Sequence, residues 1–192
     1  MNNVHPVRIK LAQKFLSLGH DIIGAEVGVN EGEYSDYILN NCLNVKRLYS
    51  CDFWRGYHEL DANARGDFEA ICAMREAADK LTKHGDRSVI VRTTSEIAAS
   101  LFPDGHFDFV YIDAGHDYDN VMRDLKAWFP KVRKGGIICG DDFVDGIIEW
   151  NGTFTHFDVK KAVTEFFGVG GFESDPESED GTYLSQWWAT VE

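Results

Sequence analysis

The chain has 192 residues, 44% of them hydrophobic and 13% aromatic, which gives one domain a substantial core and excludes a disordered chain. A formal net charge of −13 would repel a phosphate backbone, so nucleic acid is not expected as a partner, and no apolar run reaches the length of a membrane span. MNNVHPVRIK at the N-terminus has no signal-peptide core, and Cys42, Cys51, Cys72 and Cys139 lie far apart with no CxxC spacing. A cytoplasmic protein with reduced thiols is therefore expected, rather than a disulfide framework or a zinc site.

In chain order, Val7, Leu11, Phe15 and Leu18 recur at helical spacing and stop near Gly19. Residues 21–29, DIIGAEVGV, read as a strand running into Asn30-Glu31-Gly32, and a second helix carries Tyr34, Tyr37, Ile38 and Cys42 on one face. The next strand, 45–51, ends at Asp52. A polar segment with Asp61, Asn63 and Gly66 leads into a long helix, expected to turn Phe68, Ile71, Cys72, Ala78 and Leu81 inward and to end at Gly85. Residues 88–91 form a third strand, and Thr94-Ser95-Glu96 opens a short helix through Leu101.

The central unit is FDFVYIDAGHDYDNVMRDLKAWFPKVRKGGIICGDDF. It reads as an apolar strand, 107–112, then a helix with Tyr118, Val121, Met122, Leu125 and Trp128 at helical spacing, then a second buried strand, 137–139. Parallel strands joined by a helix end on the same side of a sheet. Asp113, Asp141 and Asp142 therefore share the rim where open α/β sheets bind ligands. Residues 144–155 read as a loop, with Trp150 as a candidate lid. Val159, Ala162, Val163, Phe166 and Phe167 mark a last helix, and Gly171-Phe172-Glu173 with 183–191 suggest an antiparallel hairpin at the sheet edge. The acidic run 173–180 between them reads as a solvated turn. The expected fold is thus one α/β domain over residues 1–192, Rossmann-like, with a seven-stranded mostly parallel sheet, helices on both faces and a C-terminal antiparallel hairpin.

Two constellations carry chemistry. Glu26-Val27-Gly28-Val29-Asn30-Glu31-Gly32 is a glycine loop at a strand end, but Glu26 and Glu31 stand where a dinucleotide fingerprint needs glycine. Carboxylates there suit a cationic ligand, and Asp52 lies where both hydroxyls of a ribose can be accepted. On the rim, three carboxylates repel one another unless a cation sits between them, and an oxygen-rich site suits Mg2+, Mn2+ or Ca2+. The reading without a metal has Asp113 facing the cofactor and Asp142 capping a turn.

AEVGVNEG, LYSCDFW, FVYIDAGHDY, GGIICGDDF and the final SQWWATV together resemble the class I S-adenosylmethionine-dependent methyltransferases over nearly the whole chain. The resemblance implies S-adenosyl-L-methionine as cofactor. Glu26, Gly28 and Gly32 would shape the methionine pocket, Asp52 would bind the ribose, Thr94 and Ser95 would lie toward the adenine, and Asp113 would border the sulfonium. IDAGHDY with GGIICGDD further resembles the small metal-dependent O-methyltransferases of sugars and antibiotics, which implies a divalent metal on Asp113, Asp141 and Asp142 gripping a small-molecule hydroxyl. Relatives in that group place a carboxylate two residues after the first metal aspartate; Gly115 stands there, so the general base is open between His116 and Asp117. His156 is a weaker candidate, and Trp54 and Tyr57 either cover the ligand or simply pack. The rival classes are a cofactor-binding module without catalysis and a nicotinamide oxidoreductase. The acceptor could also be nitrogen, and the reading admits a homo-oligomer. Asp52→Ala is expected to weaken cofactor binding with little change in stability.

Overall fold

The computed structural model describes residues 6–56, 66–150, 153–175 and 185–192. Helix α1 (Pro6–Leu16) leads into β1 (Ile22–Val27), α2 (Glu33–Asn41) and β2 (Val45–Asp52). Next come α3 (Asp67–Leu81), β3 (Ser88–Arg92), α4 (Ser95–Ser100), β4 (Phe107–Ile112), α5 (Tyr118–Trp128) and β5 (Val132–Gly140). The chain closes with β6 (Asp145–Trp150), β7 (Thr153–Asp158), α6 (Val159–Phe167), β8 (Glu173–Ser174) and β9 (Trp187–Thr190). Seven strands form one sheet in the order β3-β2-β1-β4-β5-β9-β8. The first five run parallel, while β9 is antiparallel to β5 and β8 antiparallel to β9. The expected Rossmann-like fold with its antiparallel finish is what the chain adopts.

Alternation along each strand feeds two cores. In β4, Val110 and Ile112 point into the core under α4, α5 and α6, with Leu125, Trp128 and Val163. Phe109 and Tyr111 point to the opposite face, against Phe15 of α1 and Tyr34 of α2. The Phe15 and Phe109 rings stack 3.9 Å apart, which fixes α1 on the sheet although it precedes the first strand.

Two local expectations are corrected. In α3 the inward residues are Ala70, Ala73, Ala77 and Leu81, whereas Phe68 is 79% and Ile71 49% exposed, and Cys72 is exposed too. The head of α2 approaches α3 so closely that a Cβ on Gly32 would lie 3.0 Å from the Ala77 Cα. Only small side chains fit such a contact, so the large ones turn outward. Residues 144–155 are not a loop, because most of them lie in the antiparallel pair β6–β7, from Asp145 opposite Asp158 to Trp150 opposite Thr153. The Asn151-Gly152 dipeptide, a strong hairpin signal in sequence, falls outside the described residues, as do the side chain of Trp150 and most of the acidic run. One face of β6–β7 is buried through Ile148 and Thr155, and the other exposes Ile147 and Phe154.

Candidate active site

The ends of β1, β2 and β4 are knitted together at the glycine loop. The Gly28 N–H donates to the Cys51 carbonyl (2.9 Å) and the Asp113 N–H to the Val27 carbonyl (2.7 Å). Gly28 has φ +87°, and a Cβ there would lie 1.8 Å from the Asp113 carbonyl oxygen, so no larger residue fits. Asp52 clasps the same loop. Its Oδ2 accepts the Val29 and Asn30 amides (2.8 and 2.9 Å), and its Oδ1 accepts the Trp54 amide (2.8 Å). The Trp54 indole N–H returns to the Asn30 carbonyl at 2.8 Å. Asn30 (φ 51°), Trp54 (φ 42°) and Asp142 (φ 52°) are three of the four non-glycine residues with positive φ among the described residues, and all three stand on this rim. Backbone strain of this kind gathers at functional sites.

Below the loop, Glu26 is 2% exposed and accepts a hydrogen bond from the Ser35 hydroxyl, which lies 2.6 Å from that of Ser50. Burial pushes the Glu26 carboxyl up to about 8, against the pull of Ser35 and Arg8. Thr94 precedes α4 as its cap residue. The Ser95 hydroxyl accepts the Trp128 indole N–H at 2.9 Å and hydrogen-bonds the buried Asp124, so it also fastens α4 to α5. Tyr57 lies outside the described residues.

The three rim aspartates do not form one symmetrical cage. Arg8, from α1, grips two of them: its Nη2 is 2.8 Å from Asp113 and 2.6 Å from Asp141, and its Nε donates to Asp141 at 2.7 Å. Asp141 is 3% exposed. Burial raises the pKa of Asp113 and of Asp141, and Arg8 offsets part of that rise in each. The third, Asp142, turns to His116, whose Nε2 lies 3.0 Å from its Oδ2. Asp113, His116 and Asp142 each offer one ligand atom within 4.8 Å of the others. Asp117 instead caps α5, accepting the Asn120 N–H at 3.0 Å. The His116 ring packs on Phe157 of β7 (4.6 Å), and the His116 carbonyl accepts the Asp158 N–H (2.9 Å), so the hairpin borders this loop. His156 sits on the hairpin's outer face, 57% exposed.

Arg8 escaped the sequence reading, yet a signal was present: Leu11, Ala12 and Phe15 stand at i+3, i+4 and i+7 from it, all buried. A charged residue on the apolar face of a helix needs a partner inside.

A family model described as a methyltransferase domain matches residues 25–143, more than half of the chain. The chain belongs to the methyltransferase domain family. Every candidate from Glu26 to Asp142 lies within the matched span, and Arg8 lies outside it. No curated protein sequence matches significantly. Several solved structures share the fold of this methyltransferase domain. The O-methyltransferase TomG from Streptomyces achromogenes, of tomaymycin synthesis and in complex with SAM, is 14% identical with TM-score 0.68, covering 100% of this chain and 82% of that one. The Burkholderia thailandensis 1,6-didemethyltoxoflavin-N1-methyltransferase, bound to 1,6-didemethyltoxoflavin and S-adenosylhomocysteine, is 17% identical with TM-score 0.61, covering 96% and 79%. A Clostridium thermocellum protein assigned as an rRNA methylase is 12% identical with TM-score 0.66, covering 98% of each chain. At these identities the likeness is one of fold. Among the described residues, no helix of the methyltransferase domain is long and apolar enough to cross a membrane.

Proposed function

We propose that this methyltransferase domain binds S-adenosylmethionine and transfers its methyl group to a hydroxyl of a small molecule or sugar, with a divalent metal on the rim. The observation that carries the reading is the division of one rim into two acidic halves. Asp52 stands at the end of β2 beside the glycine loop, with Glu26 buried beneath it in β1 and its protonated form favoured, while Asp113, His116 and Asp142 meet at β4 and β5. A cationic cofactor suits the first half. The cofactor supplies an electrophilic methyl group when bound, leaving as a neutral thioether. Asp52 has three of its four lone-pair sites filled by amides, so it has one left on Oδ1 for a ribose hydroxyl.

In the second half His116, next to Asp142, is the base that takes the acceptor hydroxyl proton on a ring nitrogen, while Asp117 serves the helix cap. The donor set fits a divalent ion: the Asp113 and Asp142 carboxylates converge there beside His116, and Asp141 is engaged by Arg8. Asp113 and Asp142 would hold the ion, which would polarise the acceptor oxygen, while His116 keeps its ring lone pair for the proton. The β6–β7 hairpin beside His116 restricts water, which would otherwise compete as nucleophile. The charge of −13 supports a small-molecule acceptor over nucleic acid. A metal-independent transfer is favoured by one observation, the Arg8 guanidinium already standing between Asp113 and Asp141.

Calorimetry with S-adenosylhomocysteine and with NAD tests the cofactor: binding of the first alone is expected, and binding of neither would sink the reading. With labelled S-adenosylmethionine and a panel of hydroxylated acceptors, Asp113→Asn and Asp142→Asn should each lower turnover at least 100-fold. Their S-adenosylhomocysteine affinity should stay within about threefold, as expected for groups acting on the acceptor. Full activity after chelation would remove the metal and leave His116→Ala as the decisive variant.

A further inference from the structure

Arg8 stands on a rigid base. Leu11, Ala12 and Phe15 bury the inner face of α1, the Tyr34 hydroxyl donates to the Arg8 carbonyl at 3.1 Å, and the guanidinium lies 5.8 Å from the Tyr34 ring centre. From that base its fork reaches Asp113, 105 residues away in sequence, and Asp141, 133 residues away. The contacts are unequal. Asp141 takes both Nε and Nη2 and is almost wholly buried, whereas Asp113 takes Nη2 alone and offers an oxygen within 4.8 Å of ligand atoms of His116 and Asp142.

We infer that Arg8 is a positioning residue that divides the rim, sequestering Asp141 as its own counter-ion and leaving Asp113 to work with His116 and Asp142. This rests on the reading of that rim as the acceptor side of the methyltransferase site. Three carboxylates crowded at two neighbouring strand ends would otherwise compete for one cation, and each shared ion would draw in all three. A guanidinium held by a packed helix is a fixed cation with two directed contacts, so it selects which carboxylate it withdraws. Asp141 then contributes to the site only through Arg8. The carboxylate that sequence alone would place beside Asp142 as a ligand becomes a structural partner.

The test uses Mn2+ as probe, its free concentration followed by paramagnetic resonance, with S-adenosylhomocysteine calorimetry and thermal melting on the same samples. Asp141→Asn leaves the Arg8 charge to Asp113 alone and should lower Mn2+ affinity by no more than about fivefold, whereas Asp113→Asn should lower it at least tenfold. Arg8→Gln frees Asp141 and removes a neighbouring positive charge, so its Mn2+ affinity should rise at least tenfold. Adding Asp141→Asn to Arg8→Gln removes charge and countercharge together and should return the affinity to within about threefold of wild type. No gain in Arg8→Gln, a gain that survives the second substitution, or an Asp141→Asn loss equal to that of Asp113→Asn would each overturn the inference. If Arg8→Gln fails to fold, Arg8→Lys decides: it keeps the charge but cannot fork, and it should bind Mn2+ at least threefold tighter, an unchanged affinity refuting the proposal. S-adenosylhomocysteine binding reports separately on the cofactor reading. Its absence from wild type would sink that reading while the Mn2+ comparison still judged Arg8.

Discussion

Asp52 should matter to the fold as well as to the cofactor. Its carboxylate accepts three backbone amides, those of Val29, Asn30 and Trp54, and so joins the end of β2 to the loop after β1. Asp52→Asn keeps the shape but exchanges one oxygen for an NH2 group. The better orientation keeps Val29 and Asn30 on the carbonyl and turns the NH2 toward the Trp54 N–H, losing one bond to a charged acceptor. Such bonds contribute about 1.5–3 kcal/mol. Asp52 is partly exposed, so water replaces some of the loss, and about 1–2 kcal/mol of destabilisation is expected. Asp52→Ala removes all three bonds and should cost about 3 kcal/mol. Urea unfolding followed by tryptophan fluorescence measures both. In calorimetry the same variants should lose about tenfold or more in S-adenosylhomocysteine affinity, the loss of one charge-assisted bond. Should Asp52→Ala unfold within about 0.5 kcal/mol of wild type, the amide clasp would have no energetic weight, and Asp52 would act on the ligand alone.

Two further outcomes follow from buried groups away from the acceptor. Burial raises the Asp124 carboxyl to about 6, with Ser95 opposing, so its folded pKa lies above the unfolded value of 3.8. Its contribution to stability is therefore full below pH 3.8 and lost as pH rises through about 6; against Asp124→Asn, wild type should lose up to about 3 kcal/mol across that window in pH-dependent unfolding, and parallel curves would refute it. Gly28→Ala should cost about 2–4 kcal/mol, since it combines positive φ with a clash against the Asp113 backbone, while Gly85→Ala, with positive φ but no atom within 4 Å, should cost only about 1 kcal/mol. Equal costs in urea titrations would show that the close approach at Gly28 is not what constrains it.

Where the sequence was informative, the signal was local and periodic. Strands such as FDFVYI and helices such as that of Val159, Ala162 and Val163 follow from apolar spacing, and parallel connection alone brings Asp113, Asp141 and Asp142 to one rim. The Asn151-Gly152 dipeptide is an equally local hairpin signal that the reading of 144–155 as a loop missed. What stayed out of reach depended on contacts between distant segments. Spacing in α3 favoured Phe68 and Ile71 as inward residues, and only the close approach of α2 at Gly32 shows that alanines must face it. Asp52 was legible as a strand-end carboxylate, but its three amide partners come from how two loops close on it. On the rim, the sequence determined that a cation was needed among the aspartates. The tertiary structure decided that Arg8 is that cation for Asp113 and Asp141, because the pairing of charges is set by where a packed helix crosses the strand ends, and sequence periodicity carries no record of that crossing.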